Sequence, residues 1–578
     1  LSTTKKKGSD AMTSRRNYLV WLVLGGVAVL FFAPLGLRSL WDSDEGRYAE
    51  IAREMLALGD WVTPHLDYVV YFEKPPLMYW LTALSMRLFG AGEWAARFWC
   101  AAFGLLTVML TYRMGRDWKG QRVGILAAIL LSVSFGFFAM TQFLMLDMAL
   151  TFWTTLAVLA GIRLSTRGPA ALRPWGYLMA FALAGGVLTK GLVGLVLPTA
   201  AVGFSMLAHR RWEALKALPW ASAATLFFAL AAPWFVLVSV RNPVFPYFFL
   251  IHEHVLRYTT GVHHRGEPIW FFFPVLLLTG LPWSLFLARV VRTWGRRRLA
   301  GLRADPAATV LVSWSALVFV FFSLSHSKLV GYILPIFPTL AVLAAHECEQ
   351  ALESPAPPAW FRRIVGIQTL VYGLLFLPVL LLDIPNAAAR IADRVDPLVR
   401  PLLFHLAGKT SLVALALGIG IAALGASLLL RQGRAYFYAL VFAQVLLLAS
   451  LSVTAPSLDP FLSARGLARK IRAEVKENDK VVAYLVSYEN SLQTLAFYLG
   501  RRIAVLGRYG ELSLGEQQAS DSASWFAPKE KATEALLSMP AGTWAITDER
   551  TMGSLARYGD LFMLAGREGW LVAFKKLK

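Results

Sequence analysis

Acids and bases set into an otherwise apolar chain are the first candidates for chemistry, because each must be held for a reason. Trp41-Asp42-Ser43-Asp44-Glu45-Gly46-Arg47-Tyr48 packs carboxylates and a guanidinium into eight residues, and Tyr71-Phe72-Glu73-Lys74-Pro75-Pro76 sets an acid and a base directly before two prolines. The prolines fix the backbone and open a short helix at Leu77–Phe89, so Lys74 beside Glu73 suits holding a phosphate with the local charge balanced. Asp147 is the single charge in the run Val123–Ile162, Lys190 the single charge in Trp175–Leu207, and His326-Ser327-Lys328 interrupts Ala307–Ala345. Lys190 alone suits a snorkelling side chain equally well, and Asp44 sits where a helix cap would. His252-Glu253-His254 is followed by Arg257, His263 and His264, and six of the nine histidines fall on the side assigned below to the outside. Imidazoles with Glu73 or Glu253 can bind a divalent zinc ion, with Glu73 and His254 the candidate ligands; a structural role competes with that reading.

The elements that must position these groups are membrane spans. Of 578 residues, 57% are hydrophobic and 16% charged, against about 25% charged in an ordinary globular protein. Such a chain cannot cover its apolar surface in water. Runs of the right length lie near Asn17–Leu37, Glu93–Tyr112, Leu218–Val240, Ile269–Leu287, Ile364–Leu382, Leu412–Leu430 and Ala435–Val453. The three long runs above read as hairpins of two crossings each, which makes about 13 transmembrane helices. Alternate loops carry Arg15/Arg16, Arg113/Arg116/Lys119/Arg122, Arg163/Arg167/Arg173, Arg210/Arg211/Lys216, five arginines over 292–303, Arg362/Arg363 and Arg431/Arg434. Those loops are cytoplasmic by the positive-inside rule, which puts the N-terminus inside and the C-terminus outside. The net charge of +21 is therefore spread over short loops and makes no nucleic-acid surface. Two cysteines, Cys100 and Cys348, supply no disulfide framework. Leu1–Met12 reads as a trimmed start and is set aside.

The domains expected are a transmembrane catalytic domain over 13–454, with outer loops 38–92 and 241–268, and a periplasmic α/β domain over 455–578. In loop 38–92, Tyr48, Ile51, Ala52, Met55 and Leu56 form an apolar stripe that would lie on the membrane surface, with Arg47, Glu50 and Glu54 opposite. Strands are predicted at Val481–Val486, Ile503–Leu506, Trp544–Thr547 and Trp570–Phe574, with helices near Ser463–Val475, Ser491–Leu499 and Lys529–Ser538. This region has no Gly-rich phosphate loop, so no nucleotide cofactor is expected, and it reads as a cap or docking surface.

Several of these segments resemble a known family. Asp44-Glu45-Gly46-Arg47-Tyr48-Ala49-Glu50-Ile51-Ala52-Arg53-Glu54-Met55, Gly59-Asp60-Trp61-Val62-Thr63-Pro64-His65 and Tyr71–Pro76 are similar to the first outer loop of bacterial aminoarabinose transferases. Leu188-Thr189-Lys190-Gly191 and Ser327-Lys328-Leu329-Val330-Gly331-Tyr332-Ile333-Leu334-Pro335 resemble later motifs of that family. Its members are GT-C glycosyltransferases related to protein O-mannosyltransferases. The resemblance covers about Asn17 to Ala345 and implies a GT-C fold in the bacterial inner membrane. It also implies transfer of 4-amino-4-deoxy-L-arabinose from undecaprenyl phosphate to lipid A phosphates at the periplasmic face, the modification behind polymyxin resistance. The family's two acidic residues correspond to Asp44 and Asp147.

With such a donor the leaving group is an anionic phosphate, which Arg47, Lys74, Lys190 or Arg257 can hold, with Tyr71 and Tyr332 among the substrate-binding residues. A lipid A phosphate is already an anion and needs no deprotonation, so Asp44 and Asp147 would bind the sugar's ammonium or orient the bases. A hydroxyl acceptor would instead require Asp44 as general base. The alternative is thus a related GT-C enzyme moving another polyprenyl-linked sugar to protein or a different glycan. A transporter fits poorly, since its charges would lie at the bilayer midplane and its halves would repeat.

Overall fold

The structure, a computed structural model, describes residues 18–256, 266–296, 304–354, 357–381, 411–430, 433–486, 492–548, 551–568 and 571–577. The chain divides into two units. One takes its described residues from Leu1–Pro34, Trp99–Gly373 and Gly418–Ala449, the other from Leu35–Phe98, Leu374–Leu417 and Ser450–Lys578.

The first unit is helical. Helix Leu146–Thr166 is its axis: 94% of its most apolar stretch is buried inside the protein, and it packs on Arg173–Lys190, Val193–Ala208 and Pro306–Leu324. Small residues bring the helices together, as where a side chain on Gly194 would meet the Gly186 backbone at 2.5 Å. Close backbone approach of this kind is how helices associate in lipid, where burial of apolar surface supplies no drive. Among the described residues six helices are long and apolar enough to cross a membrane, and eight if each bent pair counts as one crossing. Shorter apolar helices lie at Tyr18–Phe32, Val193–Ala208 and Val413–Leu428. The predicted crossing at Ile269–Leu287 is not one straight rod: Phe272–Thr279 and Ser284–Thr293 meet at 116°. Gly280 and Pro282 lie between them, residues that weaken and interrupt a helix. The run Val123–Ile162 likewise resolves into a pair bent by 68°, Gln121–Ser132 and Phe135–Thr141, followed by the axial helix.

The second unit is built on a six-stranded sheet of order β5-β4-β3-β6-β8-β7. Its strands are β3 (Val481–Tyr484), β4 (Ala504–Gly507), β5 (Phe526–Pro528), β6 (Trp544–Asp548), β7 (Phe562–Glu568) and β8 (Leu571–Lys576); β1 (His65–Leu66) and β2 (Val69–Val70) form a separate hairpin. The four central strands are those the apolar runs predict. Both unpredicted strands are edges: β5 has three residues and ends in proline, and β7 leaves Met563 and Leu564 51% and 58% exposed.

The first loop belongs to this second unit. Helix Asp44–Leu58 packs on Leu77–Phe89 and on Gln493–Leu499, and Gly46 lies so close to Thr494 that a side chain there would meet its backbone nitrogen at 2.6 Å. The expectation of an apolar stripe lying on the membrane surface is therefore corrected, since Tyr48, Ile51, Ala52 and Met55 are buried inside the protein. Arg47, Glu50 and Glu54 are 4%, 0% and 0% exposed, because helix and hairpin are covered by residues from 492 onward. Arg53 forks onto both Glu50 oxygens at 2.7 and 2.8 Å, so that charge is matched rather than hydrated, whereas burial, Glu50 and Asp67 push the Glu54 carboxyl well above the usual carboxylate range although it accepts the Tyr68 N–H. Asp67 accepts the N–H of Ile503, which ties the hairpin to the sheet.

Candidate functional site

In the second unit the site starts at the first turn of the helix. Ser43 occupies the cap position without a side-chain bond, so Asp44 is the first helical residue and not a cap. Its carboxylate instead pairs with Arg47 one turn on. Arg47 also pairs with Glu511, on the short 3-10 turn Gly510–Leu512, and its guanidinium lies 5.0 Å from the Tyr48 ring centre. Burial disfavours the charge on Arg47, but Glu511, the neighbouring tyrosines and Asp44 outweigh it and hold the guanidinium firmly protonated. Tyr71 and Tyr79 are almost fully buried, and burial raises both phenols against the pull of Arg47. Their hydroxyls, Arg47 Nε and Glu511 Oε2 find no hydrogen-bond partner among the described residues. Buried polar atoms are nearly always satisfied, so four clustered at Arg47 single it out as the candidate for contact with a polar group.

Lys74 Nζ donates to the Glu73 carbonyl at 2.9 Å and stands 3.8 Å from the Glu73 carboxylate, both side chains being mostly buried. The Glu73 charge also acts on Tyr48, Tyr71 and Tyr79, which joins the acid–base–proline segment to the Arg47 group. A third buried cation supports the turn before the helix. Arg97 Nε bonds Glu45 at 2.7 Å, and its remaining nitrogens bond the Leu35, Arg38 and Ser39 carbonyls. Burial alone would raise Glu45, but Arg38 and Arg97 bring it down to about 2. Asp42 goes the other way: burial lifts it to about 7, although the Thr494 hydroxyl and N–H both donate to it.

The helical unit gathers a separate set. Asp147 stands in the first turn of its helix and Lys190 is the last residue of its own, each where the helix dipole favours its sign. Lys190 Nζ is 2.6 Å from Asp147 Oδ1 and 4.7 Å from the ring centre of Tyr332, so it is not a snorkelling side chain. Tyr332 rides on the 3-10 turn Val330–Ile336 against Phe322. Gly331 lets that turn approach, since a Cβ there would lie 2.9 Å from the Asp147 carboxyl carbon.

The remaining candidates separate from these sets. Lys328 is 6% exposed and donates to the Ser325 and Glu267 carbonyls at 2.5 and 2.8 Å, an anchor for the preceding loop. His252 contacts the Glu253 carboxylate at 3.3 Å and stacks on Phe248. Arg257, His263, His264 and the side chain of His254 lie outside the described residues. Among the described residues no three His, Cys, Asp or Glu side chains come together as metal ligands would. Sequence reasoning missed Glu511, Tyr79 and Arg97. Of these only Arg97 carries a readable signal, being the single charge between Glu93 and Arg113.

Comparison with known proteins bears on both sets. Residues 19–294 match the family model described as dolichyl-phosphate-mannose-protein mannosyltransferase. The chain is 34% identical over 357 residues to the undecaprenyl phosphate-alpha-4-amino-4-deoxy-L-arabinose arabinosyl transferase of Aeromonas salmonicida, covering 61% of this chain and 63% of that one. It is 35% identical over 346 residues to the protein of that name from Pseudomonas aeruginosa, covering 59% and 61%. The matched region thus spans under two thirds of these relatives' length. The structure superposes on the crystal structure of ArnT from Cupriavidus metallidurans bound to undecaprenyl phosphate with a TM-score of 0.79, at 28% identity, over 96% of this chain and 97% of that one. The apo form of that protein gives 0.78. The chain therefore shares that protein's fold along nearly its whole length, which its curated sequence matches do not reach.

Proposed function

We propose that this chain is an integral membrane glycosyltransferase that moves 4-amino-4-deoxy-L-arabinose from undecaprenyl phosphate to the phosphates of lipid A. The observation that carries the reading is Arg47, buried between Asp44 and Glu511 with unsatisfied tyrosine hydroxyls around it. It is set in a fold shared with a protein crystallised with undecaprenyl phosphate. In this reading the bond between the sugar's anomeric carbon and the donor phosphate oxygen breaks, and a bond from that carbon to an acceptor phosphate oxygen forms. Undecaprenyl phosphate leaves with the electron pair. Arg47 and Lys74 hold the leaving phosphate, with Arg257 a further candidate, and stabilise the charge growing on it.

The carboxylates act as orienting groups. Asp44 engages Arg47 and Asp147 engages Lys190, and an anionic acceptor has no proton for a base to remove. The chain is placed in the bacterial inner membrane with about 13 crossings, the N-terminus cytoplasmic and residues 455–578 periplasmic, the topology the loop charges give. Lowering the negative charge of lipid A in this way would confer polymyxin resistance.

The test is to incubate the purified chain in lipid with polyprenyl-linked aminoarabinose and lipid A and weigh the products. A gain of one aminopentose residue on lipid A supports the reading. Transfer to a peptide hydroxyl with none to lipid A overturns it in favour of a protein glycosyltransferase. The same assay decides the role of Glu73 and His254. A rate that falls with chelator and returns with zinc makes them metal ligands, and an unchanged rate leaves Glu73 as the partner of Lys74.

A further inference from the structure

An apolar cavity in the helical unit lies away from Asp147 and Lys190. It has a volume of about 370 Å³, within the range of sites that take small ligands. Its walls are one face each of helices Arg173–Lys190, Val193–Ala208 and Trp220–Arg241, with Leu164 as floor. Helix Trp220–Arg241 is only 17% buried within the protein along its apolar stretch, so the cavity is bounded by a helix that faces the membrane's hydrocarbon. One end is bounded by Leu215, Leu218 and Trp220, in the connection between the second and third of these helices. The charges of the two connections at that end are nearly all of one sign. Arg167, Arg173, Arg210 and Lys216 are exposed, Arg211 half-buried, and Glu213 the one acid among them. Trp220 is 62% exposed and donates its indole N–H to the Leu215 carbonyl, the habit of an aromatic at a membrane boundary.

We propose that this cavity holds one acyl chain of a resident anionic phospholipid, whose phosphate lies against Arg173, Arg210 and Lys216. An apolar slot lined by aliphatic and aromatic side chains, with exposed cations in the connections beside one end, matches the two halves of such a lipid. A basic pocket between membrane helices selects headgroup charge in the same way. The site is independent of the transfer reaction, and none of its residues belongs to the Arg47 or Lys190 groups.

Gly203 offers a direct test, because it lines the cavity and nothing lies within 4 Å of where its Cβ would be. Gly203→Leu therefore starts its side chain in open space, projects it into the slot and improves helix propensity. The purified full chain in detergent is titrated with phosphatidylglycerol and with phosphatidylcholine of the same acyl chains, following retained lipid by native mass spectrometry and the thermal midpoint. The wild type is expected to retain phosphatidylglycerol at least about tenfold more tightly, two or more cations each adding a few-fold. Arg173→Gln with Lys216→Gln, both at exposed positions, should remove that preference and leave phosphatidylcholine retention unchanged. Gly203→Leu should weaken retention of both lipids. Equal retention of the two lipids by the wild type, or retention untouched by Gly203→Leu, overturns the proposal. One-for-one displacement of phosphatidylglycerol by undecaprenyl phosphate, lost in Gly203→Leu, overturns it too, by making the slot a seat for the polyprenyl tail.

Discussion

Glu511 tests whether the C-terminal region takes part in the reaction. It is on a turn more than four hundred residues from Arg47, yet it supplies one of the two carboxylates on that guanidinium, and its side chain is 10% exposed. If Arg47 holds the leaving phosphate, Glu511 acts through it as a positioning residue. Hydrogen bonds to charged groups are worth about 1.5–3 kcal/mol net, which corresponds to roughly ten- to a hundredfold in rate. Glu511→Gln keeps an oxygen for the guanidinium but removes the charge, so a loss near the lower figure in kcat/KM is expected. Glu511→Ala removes both, and Asp44 remains to keep Arg47 from being left wholly unpaired, so the loss should approach the upper figure and not the larger penalty of a stranded buried charge. Initial rates at varied donor, read by mass spectrometry of lipid A, should show most of the effect in the KM for donor. In a double-mutant cycle with Arg47→Lys the two changes should be far from additive. Additive effects, or Glu511→Ala turning over at the wild-type rate with an unchanged thermal midpoint, would refute the reasoning.

Asp44→Asn should slow transfer yet leave the pH profile of the residual rate unchanged, because Asp44 engages Arg47 and no proton needs removing; a profile that loses its acid limb would assign it as base instead. Asp147→Asn and Lys190→Ala should each lower kcat/KM by at least about tenfold, and the double variant should be little worse than either alone, since the pair shares one contact at 2.6 Å. Gly331→Ala should mimic Asp147→Asn in kinetics while folding normally, its methyl displacing the Asp147 carboxylate. The remaining expectation concerns stability. Asp42 is lifted to about 7 in the folded protein, so the native state keeps a proton that the unfolded chain gives up near pH 4. Thermal stability should therefore fall as pH rises from about 4 to about 7 and level off above, and Asp42→Asn should flatten that slope.

What the sequence revealed and what it concealed follow one physical division. Asp147 and Lys190 were visible because a single charge in a long apolar run must be held by something, and the structure shows that each is held by the other. Arg97 was missed although it carried the same signal, as the single charge between Glu93 and Arg113; the structure holds it by bonds to Glu45 and three carbonyls. The central strands were legible because β3, β4 and β6 are buried almost throughout and read as apolar runs, whereas β5 and β7 are edges whose exposure erases that pattern. Glu511 could not be found, since an acid in a polar stretch of a polar domain has the same composition whether it meets water or a buried arginine. The helix Asp44–Leu58 shows the converse error. Its stripe of Tyr48, Ile51, Ala52 and Met55 reads as a face for the membrane surface but is buried inside the protein, and periodicity describes only the apolar face and says nothing of what covers the other. Here Gly46, with no side chain to hold Thr494 away, lets the polar face be covered as well. The acids and arginines of that face then have to satisfy one another. A helix of this kind is polar for the sake of its partners inside the protein, and its buried ion pairs hide it from hydropathy, which counts their charges as if they met water.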